Sequence, residues 1–307
     1  MAALQELEEA VRTVADRVGP TVVGIGDRWG RGSGIVVGEG RILTNAHNVR
    51  GDRVAVSFPD GRVAEGSVAG VDVDGDLAVV TVETAGAPAP AWAAGDGPGI
   101  GAAVFALANP GGRGLRVTFG MVSGTERSFR GPRGRRIAGT LEHTAPLARG
   151  SSGGPVVDPE GRLVGLNTNR AGDGFYLAIP ADAGLRERVE ALGRGESTSA
   201  PRLGVAVAPP WVASRMRKGV GLPEREGLLV RGVEEGSPAD RAGLGRGDLI
   251  VEAGGRVVSS ADDLHAVLDE AGASGTVTVT VLRGEEEREV AVRLSPAEPS
   301  SGDRQEA

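Results

Sequence analysis

No cysteine occurs among the 307 residues, so no disulfide framework holds this fold, as suits a reducing compartment. No run of about 18 apolar residues is present, so no membrane span is encoded. The segment Met1-Ala2-Ala3-Leu4-Gln5-Glu6-Leu7-Glu8-Glu9 has neither a basic start nor an apolar core. No signal peptide is expected from it, and the expected location is the cytoplasm unless the start site is mis-assigned. The 51 glycines follow no three-residue period, which excludes collagen. Net charge is −7, a balance that argues against a nucleic-acid partner and favours solubility. Histidine is scarce as well: only His47, His143 and His265 are available as imidazole bases.

What is present fits a turn-rich β protein of two or three domains, given the length and the glycine content. Leu4, Leu7, Val11, Val14 and Val18 recur at helical spacing until Gly19-Pro20 stops them. Strand-like runs follow at residues 21–25, 34–37 and 42–44, then the alternation Val54, Val56, Phe58 before Pro59-Asp60-Gly61. Residues 77–82 form an unbroken apolar strand, and 85–101, rich in Ala, Pro and Gly, reads as a crossing between two β-barrels. Further strands are expected at 103–107, 115–119, 137–141, 163–167 and 175–179. A helix carrying Leu185, Val189 and Leu192 closes this unit at Gly193. The polar, proline-ended stretch 196–201 is the linker, which puts the first domain at 1–195 and the second at 202–296. In the second, Ser237-Pro238 opens a short helix, and Ser260-Ala261-Asp262-Asp263 resembles a capping box before Leu264, Val267 and Leu268. The polar tail 297–307 is expected to be disordered.

The stretch Gly150-Ser151-Ser152-Gly153-Gly154 has the form G-x-S-x-G. In an α/β-hydrolase a helix would follow it, with the acid and histidine later in sequence. Here Pro155-Val156-Val157 leads through Pro159-Glu160-Gly161 to Leu163-Val164-Gly165-Leu166, a strand, a turn and a strand. The other reading is the chymotrypsin order of His, Asp, Ser. It takes His47, at the end of an apolar strand, as base and Ser152 as nucleophile. Asp76, directly before Leu77-Ala78-Val79-Val80, is the candidate acid, with Asp72 and Asp74 as competitors.

Gly32-Ser33-Gly34-Ile35-Val36-Val37, Leu43-Thr44-Asn45-Ala46-His47, Asp76-Leu77-Ala78-Val79, Ala108-Asn109-Pro110-Gly111 and Gly150-Ser151-Ser152-Gly153-Gly154-Pro155 occur in this order, followed by Gly165-Leu166-Asn167-Thr168 and Ala178-Ile179-Pro180. Together they resemble the HtrA/Deg family of trypsin-like serine proteases. Arg202-Leu203-Gly204-Val205, Gly236-Ser237-Pro238-Ala239, Arg246-Gly247-Asp248-Leu249-Ile250 and Leu282-Arg283-Gly284 resemble that family's PDZ module. The resemblance implies a mainly β chain, a chymotrypsin-like double β-barrel followed by a small α+β PDZ domain. It implies His47 as base, Asp76 as orienting acid and Ser152 as nucleophile. The turn Gly150, Ser151, Ser152 would supply the oxyanion hole through the Gly150 and Ser152 N–H groups. Ser151 and Asn48 depart from the family pattern, and Asn48 is expected to loosen the packing behind His47.

A substrate side chain is expected between Pro146-Leu147 and the strands bearing Leu166, Asn167, Thr168 and Leu177, Ala178, Ile179. With no acid among them, a shallow apolar pocket for Val, Ala, Ile or Leu is expected. In the PDZ module Leu203, Gly204 and Val205 would meet a C-terminal peptide by β-addition, with Leu264, Val267 and Leu268 as its apolar pocket. Expected partners are unfolded or extended polypeptides and C-terminal peptides, with no nucleic acid and no membrane. A homotrimer is an arrangement the resemblance brings with it, although no aromatic residue precedes Trp29. Neither metal nor cofactor is called for, and activity is expected to fall as acid protonates His47. His143 is read as a wall or solvated residue rather than a metal ligand, and His265 as a residue near the peptide groove or on the surface. Five arginines (127, 130, 133, 135 and 136) read as a solvated loop, which the family resemblance would make a sensor of bound peptide. The rival functions are a non-catalytic binder of misfolded chains, a PDZ scaffold and an esterase.

Overall fold

A computed structural model describes residues 2–26, 32–95, 97–197, 200–272 and 275–294. Residues 27–31, Trp29 among them, and the tail 297–307 lie outside the described residues. The chain divides into two units, one carrying residues 1–198 and one running from 199 to 300. The division falls inside the polar stretch 196–201.

In the first unit, α1 (Ala2–Val18) precedes two closed six-stranded barrels. The first contains β1 (Val22–Ile25), β2 (Gly32–Gly38), β3 (Arg41–Thr44), β4 (Arg53–Ser57), β5 (Val63–Asp72) and β6 (Leu77–Thr81), closed in the order β1-β2-β3-β6-β5-β4. The second contains β7 (Ala103–Ala108), β8 (Arg116–Arg130), β9 (Arg136–His143), β10 (Pro155–Val157), β11 (Leu163–Gly172) and β12 (Phe175–Pro180), in the order β10-β11-β12-β9-β8-β7. Closure leaves neither barrel with an open edge. Helix α2 (Ala183–Gly193) ends the unit, its N-cap Asp182 accepting from the Leu185 N–H at 2.7 Å.

Two of these elements differ from the sequence expectation. Strand β5 has no clear alternation because two of its positions are glycines with no room for a side chain. A Cβ at Gly66 would come within 2.5 Å of Val80, and one at Gly70 within 2.5 Å of the Leu192 carbonyl. Strand β8 continues through the arginine-rich segment to Arg130 and turns back as β9. Arginines of this hairpin find partners: Arg127 lies 3.5 Å from Glu142, and Arg136 donates to Ser128 at 2.9 Å. Arg135 reaches Asp74 at 3.6 Å, which ties this hairpin to the turn carrying Asp76.

The barrels share a core. Ile35, Leu43, Leu77 and Val79 of the first pack with Leu163, Leu166 and Ile179 of the second, and Leu185, Val189 and Leu192 of α2 seal the seam. Burying each large side chain there is worth about 1.5–3 kcal/mol, so the two barrels are held as one body. Helix α1 docks through Val14 and Val18 onto Phe105, Leu107 and Val157.

The second unit is one antiparallel sheet with three helices. It contains β13 (Val205–Ala208), α3 (Pro210–Gly219), β14 (Leu228–Val233), α4 (Pro238–Arg241), β15 (Leu249–Ala253), β16 (Arg256–Val257), α5 (Ala261–Ala271), β17 (Thr276–Arg283) and β18 (Glu286–Arg293). The order is β13-β14-β15-β17-β18, with β16 on β15, so β13 is an edge strand. Ser260 and Asp263 form the expected capping box of α5. Helix α3 had no sequence reading; it opens on Pro210 at its first turn and buries Ala213 and the stem of Arg217. Among the described residues no helix is long and apolar enough to cross a membrane.

Candidate active site

The end of β3 delivers Asn45 and a short 3-10 turn, Ala46–Asn48, which lifts the half-exposed His47 side chain over the seam. Asp76 stands at the mouth of β6, 1% exposed, with φ 55. Left-handed backbone is costly for most residues and tolerated by aspartate. Both its carboxylate oxygens lie 2.9 Å from His47 Nδ1, and one also accepts the His47 main-chain N–H at 3.2 Å. Thr168 Oγ1 donates to the other at 2.8 Å, and Asn45 Nδ2 donates to the Asp76 carbonyl at 3.0 Å. A buried carboxylate so surrounded fixes the imidazole with its Nδ1 as donor, leaving Nε2 free to accept a proton. The competitors are engaged elsewhere. Asp72 accepts from Gly75 N–H at 2.8 Å and lies 3.8 Å from Arg188, while Asp74 pairs with Arg135.

Ser152 sits in the turn between β9 and β10. Its hydroxyl donates to the Thr168 carbonyl at 2.8 Å and makes no hydrogen bond to His47. Around it the main chain is pinned from both barrels. The Ser152 carbonyl accepts from Ser33 N–H at 2.8 Å and from Asn48 Nδ2 at 2.9 Å. The Gly150 carbonyl accepts from Ser33 Oγ at 2.9 Å. Gly153 N–H and Asn167 N–H bind the carbonyls of Asn167 and Gly154 at 2.7 and 2.9 Å. Among the described residues the N–H groups of Gly150 and Ser152 have no acceptor, whereas that of Ser151 is committed to the Ala148 carbonyl at 3.3 Å. Two free amide donors beside a serine hydroxyl suit a developing oxyanion.

Asn48 is fully buried and hydrogen-bonded to Thr44 Oγ1 at 3.0 Å as well as to Ser152. It does not loosen the packing behind His47; it joins the base-bearing turn to the nucleophile turn. Nothing local in the sequence marks this, because its partner is 104 residues away.

A cleft of about 410 Å³ opens beside Ser152, lined by residues 147–152, 167–170 and Tyr176. Leu147, Asn167 and Thr168 of the expected pocket are there; Pro146 is exposed and does not line it. Leu166 and Ile179 are packed in the seam, Ala178 in the second barrel, and Leu177 is 3% exposed. Strand alternation gives these apolar groups to the core, so the cleft receives the polar Asn169, Arg170 and Arg149 instead. The cleft wall therefore carries these polar side chains beside the apolar Leu147 and Ala148.

His143, at the end of β9, is 1% exposed and stacked on Tyr176 at 5.9 Å between ring centroids. Its Nε2 lies 3.0 Å from Asn167 Oδ1. Asn167 Nδ2 already donates to the carbonyls of Gly154 and Pro155, so the imidazole must carry its proton on Nε2. Nδ1 is buried without a partner. Burial pushes this imidazole down to about 4, against a smaller upward pull from Asn167. His143 is a wall residue behind the nucleophile turn. In the second unit, Leu203 is buried, Gly204 has φ 81, and Leu264, Val267 and Leu268 belong to the core beside β14 and β17. Val205, partly buried, lies on edge strand β13, and His265 on α5 is partly buried.

A trypsin-like peptidase domain family matches residues 32–166, and a PDZ domain family matches residues 201–294. The putative serine protease HhoA of Synechocystis sp. is 33% identical over 87% of this chain and 71% of its own length. A probable periplasmic serine endoprotease, DegP-like, of Halomonas elongata is 31% identical over 87% of this chain, which spans 57% of that relative. Its name gives no support to a cytoplasmic location here. The solved structure of the HtrA-type protease AlgW with a decapeptide superposes with a TM-score of 0.64 at 25% identity, covering 94% of this chain and 99% of that one. The chain thus belongs to the HtrA family of trypsin-like serine proteases that carry a C-terminal PDZ domain.

Proposed function

We propose that this chain is an endopeptidase that cuts extended segments of unfolded or exposed polypeptide through an acyl-enzyme. The observation that carries the reading is the chain of contacts from Thr168 through Asp76 to His47, placed beside a serine whose turn offers two unpaired N–H groups. Ser152 attacks the scissile carbonyl while His47 Nε2 takes its proton. Asp76 stabilises the imidazolium, and the carbonyl oxygen, now negative, settles on the Gly150 and Ser152 N–H groups. His47 then returns the proton to the leaving amine, and water repeats the sequence on the ester. For this the Ser152 hydroxyl must turn from the Thr168 carbonyl to His47, exchanging one hydrogen bond worth about 1 kcal/mol for another.

The PDZ domain would take a C-terminal peptide along the free edge of β13, next to α5, with main-chain groups at Leu203 and Gly204 receiving the carboxylate. The domain limits proposed are 1–195 and 202–296. A second reading, a non-catalytic holder of misfolded chains, draws on the Ser152 hydroxyl being directed to Thr168. Fluorophosphonate labelling and casein turnover, each in wild type and Ser152→Ala, decide between them. Labelling and turnover that both require Ser152 support the endopeptidase. Binding of unfolded casein without either supports the holder.

A further inference from the structure

The cleft beside Ser152 is lined by two arginines and, among the described residues, by no aspartate or glutamate. Gly150 and Ser152, whose N–H groups would meet the attacked carbonyl, also line this cleft, so it adjoins the residue that carries that carbonyl. Arg170 rises from the far end of β11, opposite Tyr176 across the ladder. Its guanidinium lies 5.3 Å from the Tyr176 ring centroid, with Nη2 3.5 Å from the phenolic oxygen. Stacking on that ring limits where the guanidinium can go. Arg149, next to Gly150, also lines the cleft.

Several surface arginines of this chain have a carboxylate partner: Arg162 has Asp158, Arg194 has Glu196, and Arg283 has Asp248. Among the described residues Arg149 and Arg170 pair with none. Asn169, also in the lining, adds a neutral amide. A lysine or arginine in the substrate would meet two like charges here, and an aliphatic side chain would leave both guanidinium groups unused. Net charge on the chain as a whole is −7, so the positive character belongs to the cleft and not to a general field. A guanidinium presents paired N–H donors that match a carboxylate.

Resting on the endopeptidase reading, we infer that this cleft selects an acidic side chain, Glu or Asp, at the residue whose carbonyl is attacked, with Arg170 as its main anchor and Arg149 as the second. The test uses quenched-fluorescence peptides that differ only at that residue, carrying Glu, Gln, Val or Lys. Wild type, Arg170→Gln and Arg170→Glu are compared, and a fluorophosphonate probe is run on each protein. In wild type, kcat/KM for Glu exceeds that for its isostere Gln by about tenfold or more. The ratio falls toward one in Arg170→Gln, and Lys overtakes Glu in Arg170→Glu. A Val optimum with Glu no better than Gln overturns the inference, as does a Glu preference that neither Arg170 variant alters. Labelled Ser152 without turnover of the Glu peptide overturns it too, while leaving the endopeptidase reading in place. No labelling and no turnover of any peptide sinks the endopeptidase reading, and this inference with it.

Discussion

The side-chain amide of Asn48 donates to the main-chain carbonyl of Ser152 at 2.9 Å, across the seam between the barrels. Through that bond the residue next to the base holds the residue that carries the nucleophile. The other carbonyl of the turn, at Gly150, is held by Ser33. With both carbonyls pinned, the Gly150 and Ser152 N–H groups have a fixed place.

Asn48→Ala should therefore lower kcat about tenfold, roughly 1.4 kcal/mol of transition-state stabilisation, with a smaller change in KM. Stability falls by only about 1 kcal/mol, because Ser33 N–H still serves the Ser152 carbonyl. Steady-state kinetics on a small ester and urea unfolding read the two effects separately. An unchanged kcat would show that the contact does not place the oxyanion donors.

Gly153 has φ 86, and a Cβ there would lie 2.1 Å from the Ser33 carbonyl and 2.5 Å from Thr44 Oγ1. Gly153→Ala has to push the nucleophile turn away from the first barrel. The expected outcome is loss of fluorophosphonate labelling in a protein whose circular dichroism spectrum remains that of wild type.

His143 gives the protein an acid-sensitive wall. Its ordinary value is 6.5 and burial holds it at about 4 in the fold. Between those two values the unfolded chain binds a proton that the native protein does not, so stability declines as pH falls from about 6.5 to about 4. Above 6.5 the imidazole is neutral in both states and its contribution is flat. The loss amounts to about 3 kcal/mol by pH 4. His143→Gln, which keeps a donor for Asn167, should lose less stability than wild type over this range. Urea unfolding of both proteins at pH 7 and pH 4.5 is the comparison, and parallel curves would contradict it.

In the PDZ domain the carboxylate of Asp248, 1% exposed, accepts two bonds of 2.8 Å from Arg283 and one of 2.8 Å from Gly245 N–H. Arg283→Ala removes that countercharge and leaves the carboxylate only the Gly245 N–H, which lowers the stability of the domain. Calorimetry should show the PDZ domain melting earlier, with fluorophosphonate labelling of Ser152 unaffected by the change.

The sequence by itself carried the triad residue types, the apolar runs that become β3 and β6, the glycine-crowded turn at Ser152 and the capping box at Ser260. These are local: a run of apolar residues, a cap or a turn is written in neighbours along the chain. It preferred Asp76 to Asp72 and Asp74 from the apolar strand that follows, but it missed β5, whose glycines serve the close approach of Val80 and Leu192. It gave Asn48 a loosening effect, where the fold gives it hydrogen bonds to Thr44 and Ser152, and it did not foresee Arg149, Asn169 and Arg170 in the cleft wall. Each depended on which face of a strand looked into the seam and on partners that loop closure brings from far along the chain. Only the packed barrels settle those, because burial assigned Leu166 and Ile179 to the core and left Arg149, Asn169 and Arg170 to the cleft.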